Sequence, residues 1–534
     1  MSPHLRRNEV WTIGFLLSIA LQASSVPLNG PILAKDEQDL TQSVFHTAEQ
    51  LVFDYPRATL PVANSTKSFW INTPNANPLA DEGSEGPLTE EADVCVIGSG
   101  MTGISAVYHL ANALGRKWKD EGRKLSAVVL EAREFCSGAT GRNGGHLTPY
   151  SFFNFRSYQS QFGTEQAVKS LELEMRTARE MVKILQEHGL EDKVDIVHGG
   201  HLELLESDGA VEQAKDNYRG AKGAGLNVSD VEWLTAEEVK ETYGASYPAV
   251  KFTAHNFWPL KFVTQLYYLA KSKTSNFSIN LHTKTPVTAV TPISPPVIHA
   301  ESSLSRRWSL STHRGPVQCS FVLHATNAYT SYLLPHYHGP AGIIPTRGQI
   351  IATRAAKPLP EVWRTSWGGA QHNYWFARPV PKERNGTEWE HPLVILGGAR
   401  EVMDGRGEEQ YVTDDSVVNR EIGDKLTEFL PWLYEKGMFE EGKEPEMEWT
   451  GIMGYTSMGD PFVGPVLDKF QSNEDLYAGQ FIAAGFTGHG MPRAFSAAEA
   501  VVGLISSEIT EEEWVQPDWL PDRYLTWNRD VDGW

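Results

Sequence analysis

Cysteine is scarce in this chain: Cys95, Cys136 and Cys319 are the only three among 534 residues, and three thiols cannot build a disulfide framework. Cys95 lies within an apolar run and reads as a small buried residue. Positive charge is also short, with 47 Lys and Arg against 67 Asp and Glu and a net charge of −20. No basic run offsets the deficit, so neither nucleic acid nor anionic lipid is expected as a partner. Beyond the N-terminal segment no apolar run is long enough to cross a bilayer, and no stable membrane span is predicted. Internal repeats and low-complexity tracts are missing, and the 16 tryptophans are scattered, as expected of core residues. The Gly-x-Ser-x-Gly elbow, the Gly-x-x-x-x-Gly-Lys-Ser/Thr loop and His-Glu-x-x-His are all lacking, which leaves hydrolase readings without support. No metal site is predicted.

What is present begins with length, enough for a large core divided among roughly two to four domains. Residues 92–103 read Ala-Asp-Val-Cys-Val-Ile-Gly-Ser-Gly-Met-Thr-Gly, an apolar strand running into Gly98-x-Gly100-x-x-Gly103. The glycines divide the work: Gly98 permits a tight turn, Gly100 lets backbone reach a pyrophosphate, and Gly103 lets a helix pack on the strand. Ile104, Val107, Leu110, Ala111 and Leu114 then recur at helical spacing, so a helix N-terminus faces the phosphates, with Ser99 and Thr102 in the binding turn. The next strand, 125–130, ends in Glu131, whose carboxylate suits ribose hydroxyls. Glu131 lies 131 − 103 = 28 residues after Gly103, against roughly 20 in the usual pattern, and a polar extension at 117–124 accounts for the excess.

A second glycine-dense loop follows, Cys136-Ser-Gly-Ala-Thr-Gly-Arg-Asn-Gly-Gly-His146. Its backbone amides and Arg142 suit phosphate or flavin oxygens; a plain surface loop is the alternative. Cys136 is either a structural thiol or a flavin contact. Together the two loops resemble the D-amino-acid-oxidase superfamily of flavin amine oxidases, particularly its glycine-, sarcosine- and gamma-glutamylputrescine-oxidase branches. The resemblance runs from about Asp93 to Ser506 and implies FAD rather than a nicotinamide nucleotide. It assigns Ala139, Thr140, Arg142, Asn143, Gly144, Gly145 and His146 to the cofactor. His146 does not align with the position at which some relatives attach flavin, so the FAD is expected to be noncovalent. The family match at Val287 offers adenine its backbone, where a merely structural strand would look identical. Residues 321–329 read as a strand ending in a further loop near the nucleotide. Phe481-Ile-Ala-Ala-Gly485-Phe-Thr-Gly488-His489-Gly490-Met491-Pro492 reads as strand, loop and helix start, with Gly485, Gly488, Gly490 and Met491 as flavin contacts. His489 either touches flavin or caps local backbone.

The resemblance makes the fold α/β, a Rossmann-like FAD-binding domain interrupted by a mixed α+β substrate domain. The FAD domain takes residues 91–150, 255–344 and 449–507, and the substrate domain 151–254 and 345–448. Residues 26–90 form an irregular extension in which no function is read, and 508–534 form a tail whose aromatics either strap it to the body or bind a partner. Within the substrate domain, Val168, Leu171, Met175, Ala178, Val182 and Leu185 mark a helix closed by Gly189. Thr235 and Glu238 form a capping box. Strands are expected at 201–205, 345–353, 374–378 and 392–400. Tyr374, Trp375 and Phe376 form either an apolar cage or a strand split between core and surface. Arg347, Arg378 and Arg400 are candidates for a substrate carboxylate, because arginine binds it through a planar fork; a salt bridge is the alternative for each.

The chemistry implied is hydride transfer from the carbon of a small amine or amino acid to flavin, giving an imine, with molecular oxygen as acceptor and hydrogen peroxide as product. No catalytic base is required, and none is assigned. Neither Lys261 nor Lys284 matches the oxygen-activating lysine of some relatives. A flavin dehydrogenase with another acceptor, or a non-catalytic FAD-binding protein, is the alternative. Arg6 and Arg7 precede an apolar stretch at 11–23 and Ala23-Ser24-Ser25, which resembles a signal peptide over 1–25. Secretion or passage through a secretory pathway is therefore expected, an uncleaved anchor being the alternative. The acceptor patterns at Asn64, Asn227, Asn276 and Asn385 are compatible with that route.

Overall fold

In the computed structural model, residues 55–117, 124–272, 276–298, 304–378, 391–399, 409–468 and 474–529 are described. The signal-like segment, Asn385, Arg400 and most of the polar extension after residue 117 lie outside them. The elements below belong to the unit that begins at Arg57.

Five strands run parallel in the order Phe277–His282, Leu125–Leu130, Glu91–Ile97, Gly315–His324, Gln480–Ala484. Phe462–Pro465 adds an antiparallel edge, and Ser305–Thr312 and Val287–Ile298 continue antiparallel from Gly315–His324. The apolar runs behind this sheet are buried on both faces, as parallel sheets require. Val94, Val96 and Val129 face the helices Met101–Lys117, Pro259–Ser272 and Ala494–Thr510, sharing a core with Ile104, Val107 and Leu110. Cys95, Ile97 and Val128 face the opposite way, against Val287, Trp308 and Leu310. Asp93 is the charged exception in the central strand, and it is compensated: Arg306 Nη1 donates to it at 2.8 Å, and Ser126 Oγ at 2.9 Å.

Cys95 is buried as expected, but it is not a lone small residue. It is disulfide-bonded to Cys319 across the neighbouring parallel strands Glu91–Ile97 and Gly315–His324. Three cysteines make no framework, yet one pair staples the sheet just ahead of the Gly98 turn. Cys136 is the free, buried thiol.

The second sheet is mixed, in the order Met447–Tyr455, Ile344–Arg354, Leu393–Gly397, Tyr374–Ala377, Ser366–Gly368, His201–Leu204, Ala249–Phe252, Glu232–Leu234. All its pairings are antiparallel except that of Ser366–Gly368 with His201–Leu204. Beside it, the helix Phe155–Glu187 starts earlier than its apolar stripe suggests, because two helical segments join across a kink at Gly163 (φ 82°, ψ 166°). Such a conformation is open to glycine and strained for other residues. The capping box forms as read, Thr235 Oγ1 accepting from Glu238 N and the Glu238 carboxylate from Thr235 N. The tail, described to Arg529, is strapped to the body: Tyr524 is fully buried, Arg176 lies 4.2 Å over the Trp519 ring, and Arg529 Nη2 donates to Asp460 O.

Candidate functional site

Among the described residues, one cleft collects residues from both sheets. Its walls include Ile97, Gly98, Gly100, Met101 and Thr102 from the first turn and Glu131 and Arg133 after the second strand. Ala139, Thr140, Arg142 and Asn143 come from the second glycine loop, and Gly488, Gly490 and Met491 from the loop before the last helix. Gly348, Ile350, Tyr374, Ile452 and Met453 complete it from the second sheet.

The first turn has the shape its sequence demands. Gly98 sits at φ 108° with Ala325 O only 2.7 Å from where a Cβ would stand. At Gly103 a Cβ would lie 1.9 Å from Gly98 O, so the helix approaches the turn more closely than any side chain allows. Met101 N, at the start of that helix, donates to Thr140 Oγ1 at 3.0 Å, which joins the two glycine loops. Gly100 borders the cleft close to the same threonine, whose Oγ1 lies 3.2 Å from where a Gly100 Cβ would stand.

Glu131 follows the strand Leu125–Leu130 directly and stands in the cleft wall. Its Oε2 accepts from Ser99 N at 2.9 Å and from Ser99 Oγ at 2.7 Å, and its Oε1 from Arg133 N at 3.0 Å. Ser99 thus acts behind the wall, as the residue that aims Glu131. A carboxylate has about four acceptor positions; three donors leave one on Oε1. Cys136 N donates to the same Ser99 Oγ at 2.8 Å. The Cys136 thiol, pushed well up by burial and then by Glu131, does not line the cleft, in keeping with a structural thiol.

Arg142 departs from its expected role. It borders the cleft, but its guanidinium is spent on protein: Nε donates to Ser137 O at 2.9 Å, Nη1 to Thr450 O at 2.9 Å and Thr66 Oγ1 at 3.2 Å, and Nη2 to Ser65 Oγ. Burial lowers it to about 10 despite Asp415 3.4 Å away. Asp415, fully buried, also takes Arg133 Nη1 on both oxygens, at 2.9 and 3.0 Å. The two arginines and Asp415 form a brace behind the glycine loop.

Two histidines also stand back from the cleft. His146 is lowered to about 3 by burial and then by His201, and it packs edge-on between Tyr374 and Phe376, each 5.2 Å away. His489 neither lines the cleft nor caps local backbone: its Nε2 is 3.1 Å from Glu174 Oε2, and its ring stacks on Tyr150 at 3.9 Å. Glu174 also accepts from Arg493 Nε at 2.8 Å and from Tyr150 N at 2.7 Å. A buried carboxylate from the helix Phe155–Glu187 therefore pins the 488–493 loop. Gly144, Gly145 and Gly485 give the loops their close packing against Tyr374, Trp70 and Thr456, and are not in the wall. Val287 is in the wall.

The substrate candidates separate. Arg347 is held by Glu409 and does not border the cleft. Arg378 pairs with Asp195 at 3.1 Å beneath Phe69, Trp70 and Trp258, with Nε and Nη1 unpartnered. It too lies outside the wall, and Arg400 lies outside the described residues. Tyr374 faces the cleft, whereas Trp375 is fully buried against Trp367 (5.7 Å, stacked) and donates to Tyr434 Oη at 3.2 Å. The strand is split, and no cage forms from consecutive aromatics. Lys261 pairs with Asp195, and Lys284 with Asp81.

Several wall residues carried no local signal. Gly348, Ile350, Ile452 and Met453 sit in ordinary strand sequence, and only the pairing of Ile344–Arg354 with Met447–Tyr455 brings them together. Asn327, in the expected loop after Gly315–His324, accepts from Gly485 N at 3.0 Å and so fixes the last glycine loop. Leu60 and Pro61, from the extension, also border the cleft.

The family of FAD-dependent oxidoreductases termed DAO matches residues 93–504. The chain is 22% identical over 438 residues to a probable oxidoreductase, OrdL, of Rhizobium meliloti (strain 1021), covering 80% of this chain and 85% of that protein. It is 47% identical over 55 residues to gamma-glutamylputrescine oxidoreductase of Escherichia coli (strain K12), a match of 10% of this chain and 11% of that protein. A 93-residue match to the Haemophilus influenzae OrdL likewise spans only 19% of that protein. Among solved structures, glycine oxidase from Geobacillus kaustophilus aligns with a TM-score of 0.57 at 18% identity, over 80% of this chain and 96% of that one. L-amino acid deaminase from Proteus myxofaciens aligns at 0.59 and 15%, over 88% and 98%. At such identities the solved structures speak for the fold.

Proposed function

This chain belongs to the FAD-dependent oxidoreductase family, and on that premise we propose that it oxidises a C–N bond of a small amine or amino acid. The carrying observation is the cleft itself, which joins a dinucleotide turn in one sheet to an apolar wall in the other. FAD bound here would supply a two-electron oxidant for the amine-bearing carbon, with an imine as the organic product and oxygen, reduced to hydrogen peroxide, as the proposed final acceptor. Glu131, through its remaining lone pair, and the backbone of the Gly98–Gly100 turn hold the nucleotide end. Asn143, Gly488, Gly490 and Met491 hold the other end. Tyr374, Ile350, Ile452 and Met453 exclude water and orient the substrate, which strengthens every electrostatic contact in the site. Noncovalent attachment is supported by the half-buried His146, whose ring nitrogens lie 3.1 and 3.3 Å from Gly144 O and Trp375 O.

Purified protein tests this directly. It should be yellow, should lose that colour on acid precipitation as FAD is released, and should generate peroxide with one class of amine in air. Reduction by an amine without peroxide would assign another electron acceptor; a protein that takes up no FAD would refute the proposal. Export through a secretory pathway is proposed as well, and the Cys95–Cys319 disulfide supports it, since such bonds are rare in a reducing cytosol. A mature chain that retained its first 25 residues inside the cell would refute export.

A further inference from the structure

One wall of the cleft comes from ahead of the family's domain, which begins at residue 93. Leu60 and Pro61 border it beside Glu131, Arg133, Tyr332 and Leu333. They are fixed on both sides. Upstream, Arg57 donates from Nε to Ser331 O at 3.1 Å and from Nη2 to Tyr332 O at 2.9 Å, and Ala58 N donates to Ser331 Oγ at 2.9 Å. Downstream, Arg133 Nη1 donates to Val62 O at 3.2 Å, Thr66 N to Asp415 O at 2.7 Å, and Thr450 N to Thr66 Oγ1 at 3.0 Å.

Ordering an irregular segment costs about 1–2 kcal/mol of backbone entropy per residue. Here the compensating bonds go mostly to groups that are themselves part of the cleft or brace it: the 331–333 turn, Arg133, and Asp415, which also holds Arg142. The order of the segment and the shape of the cleft are therefore linked. The chemistry at this point is also particular. Leucine and a conformationally fixed proline line the same cleft as Val287, Leu333 and the Glu131 carboxylate, an apolar lining with a polar group in it. That suits a flat purine joined to a ribose.

We propose that residues 57–66 are a cofactor-binding element of this protein, with Leu60 and Pro61 covering the adenosine end of FAD and Arg57 locking them in place. This rests on FAD occupying the cleft as proposed above. Because the segment and the cofactor meet, FAD should order the segment as the segment holds FAD, by simple linkage.

The test titrates FAD into deflavinated full-length protein and compares the wild type with Leu60→Gly/Pro61→Gly and with Arg57→Ala. Apoprotein melting and FAD-dependent tryptic cleavage after Arg57 are followed in parallel. Both variants should bind FAD about tenfold more weakly, the scale of losing one buried apolar contact area, with apoprotein melting unchanged. FAD should slow cleavage after Arg57 in the wild type, a result that does not depend on any variant folding. Unchanged FAD affinity in the variants would overturn the proposal, as would a melting loss without an affinity loss, or cleavage indifferent to FAD. A wild type that binds no FAD would overturn the cofactor assignment itself, and this element with it.

Discussion

At Gly103 the missing side chain is a distance rather than a preference. A Cβ there would meet Gly98 O at 1.9 Å, and the obstacle is backbone on a turn that cannot retreat. Gly103→Ala should therefore lower unfolding free energy by about 1–3 kcal/mol, the usual cost of overpacking, as read by urea titration. Glu131 carries the cofactor prediction. Glu131→Gln keeps the shape but removes the charge, and FAD affinity should fall roughly ten- to a hundredfold, as for a lost charge-assisted hydrogen bond. Both residues were legible in sequence, because a turn motif and a strand end are local. Arg142 was not. Residue type and loop placement made it a cofactor contact, while its actual acceptor at Thr450 lies 308 residues away, and nothing local announces such a partner.

Among elements, the helix Phe155–Glu187 illustrates the same boundary. Its stripe, its end near Gly189 and the capping box of the helix Ala236–Tyr243 could be read from periodicity and turn chemistry. That one residue of it, Glu174, would be buried and fasten the 488–493 loop could not, since a glutamate on a helix is ordinarily a solvated one. Burial would raise this carboxyl, but His489 and Arg493 hold it down to about 2. Glu174→Ala leaves Arg493 buried without its nearest counter-charge and should cost about 3–5 kcal/mol, with hydrogen exchange rising first in residues 485–493. Across the strands, the staple makes a simpler prediction. Cys95→Ala/Cys319→Ala should lose about 2–4 kcal/mol of stability, and reductant should bring the wild type down toward the double variant while leaving the variant unaffected.

For the whole molecule, acid should be the weak side. Burial holds His146 at about 3, and holds His255 and His324 at about 4, against 6.5 for a free imidazole. Below about pH 6.5 the unfolded chain binds protons that the folded chain refuses, so unfolding free energy rises with pH through this window and is lost as the pH falls toward 4. Glu174 extends the loss below its ordinary range. The melting temperature should decline steadily from pH 7 to pH 4; a flat profile would show these imidazoles to be solvated. At this scale the α/β fold was readable from the two glycine loops and the family they resemble, whereas the strand Met447–Tyr455, expected mostly with the first sheet, pairs in the second. The cleft between them was only half readable, because its second wall consists of unremarkable strand residues that register alone brings to the site.

The proposed reaction takes electrons from an amine carbon onto FAD held in this cleft. Anaerobic mixing of the purified yellow protein with primary amines, N-methyl amino acids, and D- and L-amino acids, followed by visible flavin absorbance, tests it most directly. Bleaching by one of these classes, with colour and peroxide returning on admission of air, is the expected result. A protein that holds FAD and is bleached by none of them would contradict it.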